Sequence, residues 1–494
     1  MRIAILLISE SIYGCNVRAL SARMKSRGHD VKLLFVTDRA DSALCGRVAG
    51  EIRNLAPDIV GLSVMTDVAP ASRAISAAIR GAVSSPVVWG GVHTGIDTRD
   101  CLESADYAFI GEADDTFPEF AESFRPGQPF ESDGVVSRWD PEGRAPVFSA
   151  PVQDIDLLPF QDLDWDDHLI FAGGKVFTDQ GREEAMLGYA AQAMMSRGCP
   201  YNCTFCYNNY LRDAAKGKGR YFREMSVGRI IAELEYAKGR FGDMRRVNFW
   251  DDNFLSRKRE EIEEFAALYK ERIGLPFQLL ANPLNISREK LLAMKAAGMD
   301  TIQVGLQSGS ERTNREIYRR PVSREKTVQM FHLLHDLGLK AVCYDLIFNN
   351  PYESVENVKE TIETVLEISP PYIFFGFNLF FFPGTELYKR ALADGLISGR
   401  KEGAALDDPI FEHENSPIHA PLTNKPSSKL YDVHYDVGEK RYYNLLLFLV
   451  TGTRLVPHSL VRYLLRHRNA LTEPVPALLA RVVVFLRKIR RVLR

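Results

Sequence analysis

Three cysteines fall within eight residues, Cys199, Cys203 and Cys206, in the stretch Ser196-Arg-Gly-Cys-Pro-Tyr-Asn-Cys-Thr-Phe-Cys-Tyr207, while Cys15, Cys45, Cys101 and Cys343 stand alone. Thiolates are the usual ligands of iron–sulfur clusters, and a cubane cluster has four irons. Three thiolates on one tight loop therefore leave one iron open to a small molecule, which implies chemistry at the cluster and not electron storage alone. Zinc, a disulfide remnant and chance are the competing readings. Structural zinc sites close with four ligands and catalytic ones with three plus water. The nearest histidine, His168, lies about thirty residues upstream, and neither paired C-x-x-C nor H-x-x-x-H spacing accompanies the loop. The chain opens Met1-Arg-Ile-Ala-Ile-Leu-Leu-Ile-Ser with no cleavable signal pattern, so the expected compartment is a reducing cytoplasm in which disulfides are rare.

Length and composition bound the scaffold around this loop. A chain of 494 residues exceeds the size at which one core stops growing, so two or three domains are expected. With 46% hydrophobic and 26% charged residues it reads as an ordinary globular protein. A formal net charge of -2 predicts no general affinity for nucleic acid. No apolar run reaches the roughly 18 residues of a membrane span, which leaves only peripheral membrane contact open.

The first 125 residues alternate short apolar strands with amphipathic helices. Strands are expected at Arg2 to Ile8, Val31 to Val36, Ile59 to Val64, Pro86 to Trp89 and Tyr107 to Ile110, with helices near Asn16 to Arg27, Ala43 to Leu55, Ala69 to Val83 and Phe117 to Phe124. This rhythm predicts a doubly wound parallel sheet whose ligand crevice lies beyond the carboxyl ends of the strands. Those ends carry Ser9-Glu-Ser11, Ser63-Val-Met-Thr66, Gly90-Gly-Val-His-Thr94 and Gly111-Glu-Ala-Asp114, small or hydrogen-bonding residues that let a ligand approach the backbone. No G-x-G-x-x-G follows the first strand, so the dinucleotide fingerprint is absent. Residues 126 to about 185 look irregular, and their Pro- and Asp-rich composition reads as a connector.

From Ala190 the strand–helix rhythm resumes, with strands expected at Gln192 to Ser196, Arg246 to Trp250, Phe277 to Ala281, Thr301 to Gly305, Ala341 to Phe348 and Ile373 to Phe380. Met330, Leu333, Leu334 and Leu337 follow helical spacing and should face the sheet. Six such units suit a partial (β/α)6 barrel, whose working residues sit at the carboxyl ends of the strands. These ends read Asp251-Asp-Asn-Phe254, Asn282-Pro-Leu-Asn285, Gly305-Leu-Gln-Ser-Gly-Ser310, Asn349-Asn-Pro-Tyr-Glu353 and Phe381-Phe-Pro-Gly-Thr-Glu386.

The C-x3-C-x2-C spacing, with Phe205 before the third cysteine, resembles the signature of the radical S-adenosylmethionine superfamily. The resemblance implies that Cys199, Cys203 and Cys206 hold a [4Fe-4S] cluster, that S-adenosylmethionine chelates the fourth iron, and that its reductive cleavage gives methionine and a 5'-deoxyadenosyl radical. It also implies packing of Phe205 near the adenine. The ammonium and ribose hydroxyls of S-adenosylmethionine need acceptors, so Asp251 and Asp252 become candidates for the amino group, and Gln307 and Ser308 for the ribose or carboxylate. Asp251 to Phe254 is similar to the D-D-x-F pattern of the cobalamin-dependent branch, whereas Gln307 stands where that superfamily's fourth-strand motif commonly has glutamate.

The first domain, on Leu62-Ser-Val-Met-Thr66, Gly90-Gly-Val-His-Thr94 and Asp106-Tyr-Ala-Phe-Ile-Gly-Glu112, resembles the cobalamin-binding domain of that same branch. Ser63, Thr66, Gly90, Gly91, His93, Gly111 and Glu112 are the candidate cobalamin contacts. A D-x-H-x-x-G motif is missing, so no protein histidine is expected on cobalt, and His93 is read as a tail-contacting or structural residue.

The resemblance covers residues 1 to about 395. It divides the chain into a cobalamin-binding Rossmann-like domain (1-130), a connector (131-185), a radical S-adenosylmethionine partial barrel (186-400) and a basic, mainly helical C-terminal region (401-494). From Arg454 to Arg494 ten Lys or Arg residues face one acid, Glu473, and Leu478 to Arg494 has the pattern of a basic amphipathic helix. Such a helix lies on anionic lipid or packs on the barrel with a solvated basic face.

The activity implied is methylation of an unactivated carbon through a 5'-deoxyadenosyl radical and methylcobalamin, fed by an external electron donor. A cyclisation or rearrangement without methyl transfer is the alternative, and a cobalamin and iron–sulfur sensor a third reading. The substrate is expected to be a small molecule. The aromatic run Tyr372 to Pro383 and the basic tail together favour a lipid- or isoprenoid-like one.

Overall fold

The run Arg2-Ile-Ala-Ile-Leu-Leu-Ile8 is apolar on both faces, as a strand covered by helices on both sides must be, and it is the centre of the first sheet. In the computed structural model, which describes residues 1–141, 145–397, 439–452, 456–469, 471–480 and 482–483, the first sheet is built from β1 (Arg2–Ile8), β2 (Asp30–Val36), β3 (Ile59–Ser63), β4 (Val87–Gly90), β5 (Tyr107–Phe109), β6 (Val135–Ser137), β7 (His168–Ala172) and β8 (Lys175–Phe177). Their order is β6-β5-β4-β3-β1-β2-β7-β8. Pairing is parallel from β5 through to β7, and antiparallel only at the two edges. The order reverses at β1, which places a topological switch point beside the ends of β1 and β3.

The chain divides into two compact units. One comprises Met1–Cys199, Tyr210–Asp251 and Leu268–Leu275; the other comprises Pro200–Asn209, Asp252–Ala267 and the described part of Pro276–Arg494. The first unit holds the eight-stranded sheet, the parallel pair β9 (Ala190–Ala193) and β12 (Arg246–Phe249), and a short antiparallel ribbon of β10 (Ser196–Arg197) and β11 (Arg223–Glu224). Its core buries Leu6, Leu34, Leu62, Ile75, Trp89 and Phe171 among others. The stretch 126–185 is more regular than its composition suggests. It contributes β6, β7 and β8, because short strands such as His168–Ala172 complete an existing edge and need little pattern of their own.

The second unit contains β13 (Phe277–Ala281), β14 (Met299–Gln307), β15 (Ala341–Phe348) and β16 (Ile373–Asn378), joined in that order by parallel pairing. One face of these strands, including Ile302, Val304, Leu306, Tyr344, Leu346 and Phe374, is buried. Helices follow the strands with side-chain caps where the chain turns in. Ser287 accepts from Lys290 N, Ser323 from Lys326 N, and Ser354 forms a capping box with Asn357, contributing about 1 kcal/mol each. Met330, Leu334 and Leu337 are buried as the helical spacing predicts, and Leu333 is partly so.

Helix Glu439–Gly452 packs on helix Val355–Val365, burying Leu446 and Leu449. A shorter helix, His458–Arg466, follows. The proposed basic helix from Leu478 falls largely outside the described residues, since 481 and 484–494 are not among them. Among the described residues no helix is long and apolar enough to cross a membrane.

Candidate active site

The cysteine loop begins where β10 ends. Gly198 adopts φ +76°, and a Cβ there would sit 2.7 Å from the Tyr221 carbonyl oxygen, so only glycine allows the turn from Arg197 into Cys199. Arg212 donates to the Cys199 carbonyl. Further on, Cys206 N donates to the Cys203 carbonyl at 3.1 Å and Asn209 N to the Cys206 carbonyl at 2.9 Å, winding the loop into helix Tyr207–Ala214. None of the three is in a disulfide, and all are partly exposed. Among the described residues no group of three or more His, Cys, Asp or Glu side chains closes on a single ion. In a cubane each thiolate takes its own iron, so spaced soft donors on an open loop suit a cluster better than one zinc.

In the second unit, polar strand ends gather around Tyr201 to Asn209. Asn285 accepts from Asn253 Nδ2 at 2.6 Å and from the Tyr201 hydroxyl. Asn208 Nδ2 donates to Asp252 Oδ2 at 3.1 Å and lies 3.7 Å from Cys206 Sγ. Thr204 N donates to the Tyr318 carbonyl, and Phe205 meets the Tyr318 ring edge to face at 4.8 Å. Phe205 thus sits against an apolar cluster of Ile317, Tyr318, Leu379 and Leu387.

The other sequence candidates fall into two groups. Asp252 is exposed. Gln307 follows a register break between Gly305 and itself and takes φ +68°, leaving it half-exposed at the end of β14. By contrast, Asp251 is 1% exposed, and its Oδ1 accepts from Met195 N at 3.0 Å and Ser196 Oγ at 2.5 Å, in the segment just before the cysteine loop. Ser308 is also buried, with its hydroxyl 3.0 Å from Glu353 Oε1, 3.0 Å from Thr361 Oγ1 and accepting from Ser310 N. These two shape the strand ends from within.

A residue pair that the strand-end reading passed over lies within β14 and β15. Gln303 Nε2 donates to Asp345 Oδ1 at 2.8 Å. Both are on the half-exposed face that also carries Gly305, Gln307, Ile347, Phe375 and Phe377. Burial pushes the Asp345 carboxyl up to about 7, against the lowering effects of Gln303 and the Arg320 guanidinium. The signal was available: an acid inside the otherwise apolar run Ala341-Val-Cys-Tyr-Asp-Leu-Ile-Phe348 is costly unless used.

At the carboxyl edge of the first sheet, Ser63, Thr66, Gly90 and Met65 are partly or well exposed. Gly91 takes φ +93°, and a Cβ there would meet Val64 O at 2.6 Å; at Gly111, φ +99°, it would meet Ser149 Oγ at 2.5 Å. The glycines therefore serve close backbone packing that shapes the edge. His93 is fully buried, its Nε2 2.8 Å from Asp100 Oδ2 and its Nδ1 3.4 Å from Thr66 Oγ1. Arg73 contacts both Asp100 oxygens at 3.0 Å. Although burial opposes it, bonding to His93 and Arg73 holds the Asp100 carboxyl below its ordinary range. Of the two roles expected for His93, its bonding is that of a structural residue. Glu112 is likewise engaged, with Arg223 Nη2 at 2.5 Å, Arg223 Nη1 at 3.0 Å and Arg197 Nη1 at 3.2 Å.

Comparison with known proteins agrees with this arrangement. The B12 binding domain model matches residues 2–121, and the radical SAM superfamily model matches residues 194–365. An uncharacterized methyltransferase of Pyrococcus horikoshii is 25% identical over 393 residues, spanning 77% of this chain and 78% of the relative. Cytidylyl-2-hydroxyethylphosphonate methyltransferase of Streptomyces wedmorensis is 22% identical, over 62% of this chain and 61% of its own length. Among solved structures, the radical S-adenosylmethionine methyltransferase TsrM from Kitasatospora setae, with tryptophan substrate and a SAM analog bound, superposes with a TM-score of 0.61 at 17% identity, covering 81% of this chain and 78% of that one. That likeness establishes the α/β fold. With a B12 binding domain joined to a radical SAM domain in one chain, the protein belongs to the cobalamin-dependent radical S-adenosylmethionine enzymes.

Proposed function

We propose that this enzyme is a B12-dependent radical S-adenosylmethionine methyltransferase that methylates an unactivated carbon of a small molecule. The observation that carries the reading is the direct ion pairing of Arg197, two residues before Cys199, to Glu112 and Asp114 on the loop after β5. It ties the base of the thiolate loop to the edge of the first sheet. When bound, the cluster and S-adenosylmethionine supply a carbon-centred radical and cobalamin carries the methyl group, with reducing electrons from an external donor.

The chain's residues position and enclose these groups. Cys199, Cys203 and Cys206 would hold the cluster. Asp252, Gln307 and the Gln303–Asp345 pair offer acceptors to S-adenosylmethionine, while Asp251 holds Met195 and Ser196 ahead of the cysteine loop, Ser308 bonds Glu353 and Thr361, and Phe205 packs on Tyr318. Ser63, Thr66, Gly90, Gly91 and Gly111 form the edge for cobalamin. By chemistry, residues 1-130 carry cobalamin, 186-400 carry the cluster and 401-494 form the C-terminal region, while 131-185, expected as a connector, also complete the first sheet with β6, β7 and β8. Phe375 and Phe377 beside Asp345 favour a substrate with an apolar body, and a lipid-like molecule meets that description. The basic C-terminal residues would bring the protein to an anionic surface; binding to anionic liposomes at low salt tests that part.

The decisive experiment uses methyl-labelled S-adenosylmethionine with reconstituted protein, a strong reductant and a small-molecule extract. Label in an extracted product, formed together with 5'-deoxyadenosine, is expected. 5'-Deoxyadenosine without transferred label would replace methylation by a cyclisation or rearrangement, and its absence would favour a sensor.

A further inference from the structure

The loop Gly111-Glu-Ala-Asp114 carries two carboxylates at the carboxyl edge of the first sheet, and both are paired to arginines. Asp114 accepts from Arg197 Nη1 at 2.6 Å and Nη2 at 2.9 Å, a bidentate fork. Glu112 accepts from both Arg197 and Arg223, and its Oε2 also takes the Val152 amide at 3.1 Å. Arg223 is 2% exposed in its side chain, and it donates further to the Val152 carbonyl at 2.7 Å. Bidentate guanidinium–carboxylate pairs out of water fix orientation as well as distance. Arg197 and Arg223 are register partners across the β10–β11 ribbon. The same ribbon enters the Gly198 turn and so sets where Cys199 begins.

A second contact reaches the same region from beyond the cysteines. The Tyr210 hydroxyl donates to the Gly95 carbonyl at 2.6 Å, and its ring meets Phe148 edge to face at 5.7 Å. Gly95 follows the Gly90–Thr94 turn, where Thr94 Oγ1 bridges to the Phe109 carbonyl at 2.5 Å. The sheet edge and the start of the thiolate loop are therefore one hydrogen-bonded body within the first unit.

We propose that Glu112 and Asp114 are positioning residues which, through Arg197 and Arg223, couple occupation of the first sheet's edge by a corrin to assembly of the thiolate site. Each ligand stabilises the same ordered arrangement of loop 111–114 and ribbon, so whichever binds first meets the ordering cost and the second binds more tightly. The proposal rests on the functional reading above, and it moves Glu112 from a cofactor contact to a coupling residue.

The test measures hydroxocobalamin affinity of the full chain by its absorption spectrum, with and without an anaerobically reconstituted cluster. Wild type should bind cobalamin at least about fivefold more tightly with the cluster present, within the usual range of coupling energies. E112Q/D114N should retain iron content and cobalamin binding while the ratio falls to within about twofold of one. Asp114→Glu, which keeps the charge, should restore part of the ratio and serves as the second variant if the double one fails to fold. A wild-type ratio of one, an unchanged ratio in E112Q/D114N, or an Asp114→Glu ratio no better than that of Asp114→Asn would each overturn the coupling. Wild-type protein that binds no cobalamin in either state would instead overturn the functional reading itself.

Discussion

The carboxyl edge of the first sheet and the half-exposed face of β14 and β15 are both lined with polar residues, but they deploy them in opposite ways. At the first edge the charged side chains are turned inward: His93 to Asp100, and Glu112 to two arginines. Ser63, Thr66 and Gly90 remain partly accessible there, beside the exposed side chains of Met65 and Glu10. In the second unit Asp252 is exposed, and the pair Gln303–Asp345 and Gln307 lie on a partly buried face. The difference matches the ligands proposed for them. A broad macrocycle is best met by a contoured edge with few protruding groups, whereas a small zwitterion with an ammonium and hydroxyls needs individual acceptors.

The comparison breaks most severely at the loop that serves both regions. Cys203→Ala should leave the fold intact, reduce bound iron from about four per chain to well below one, and abolish 5'-deoxyadenosine formation. Iron analysis and chromatography of the reaction mixture check this, and an active, iron-replete variant would refute the thiolate assignment. Next in size is His93→Ala, which strips a buried carboxylate of one partner. A loss of about 2–3 kcal/mol in unfolding free energy is expected, with no change in the electron paramagnetic resonance spectrum of bound cob(II)alamin. A nitrogen splitting present in wild type and lost in the variant would instead place His93 on cobalt.

Much of this contrast was legible in the sequence at the level of elements, and less at the level of side-chain roles. The runs Arg2–Ile8 and Ala341–Phe348 announce buried parallel strands because their apolar content leaves few alternatives, and the three cysteines announce themselves by spacing. His93, Glu112 and Ser308 look alike on paper: polar residues just beyond strands. Which of them faces a ligand depends on distant partners, namely Asp100, Arg223 and Glu353, whose approach is a property of packing and not of local pattern. Gly91 illustrates the same limit. Its neighbours suggested room for a ligand, whereas the space beside its Cα is taken by Val64. Asp345 is the converse case: it lies in mid-strand within β15, where no strand-end position marks it.

Asp345 also offers the finest test of the comparison. Its carboxyl is raised to about 7 by burial, so the folded protein binds this proton more tightly than the unfolded chain, whose aspartates titrate near 3.9. Asp345's contribution to stability then falls as pH rises between about 4 and 7, and levels off above. Asp345→Asn removes the titrating group but keeps an acceptor for Gln303. Its unfolding free energy should match that of wild type at pH 4 and exceed it at pH 8, by an amount on the order of 1–3 kcal/mol. Ligand binding should move the other way. Ionised Asp345 is the stronger acceptor, so S-adenosylmethionine affinity should rise about tenfold from pH 6 to pH 8 in wild type and stay flat in the variant. A variant that gains stability without losing that pH dependence would make Asp345 a structural residue like His93, and the contrast between the two regions would disappear.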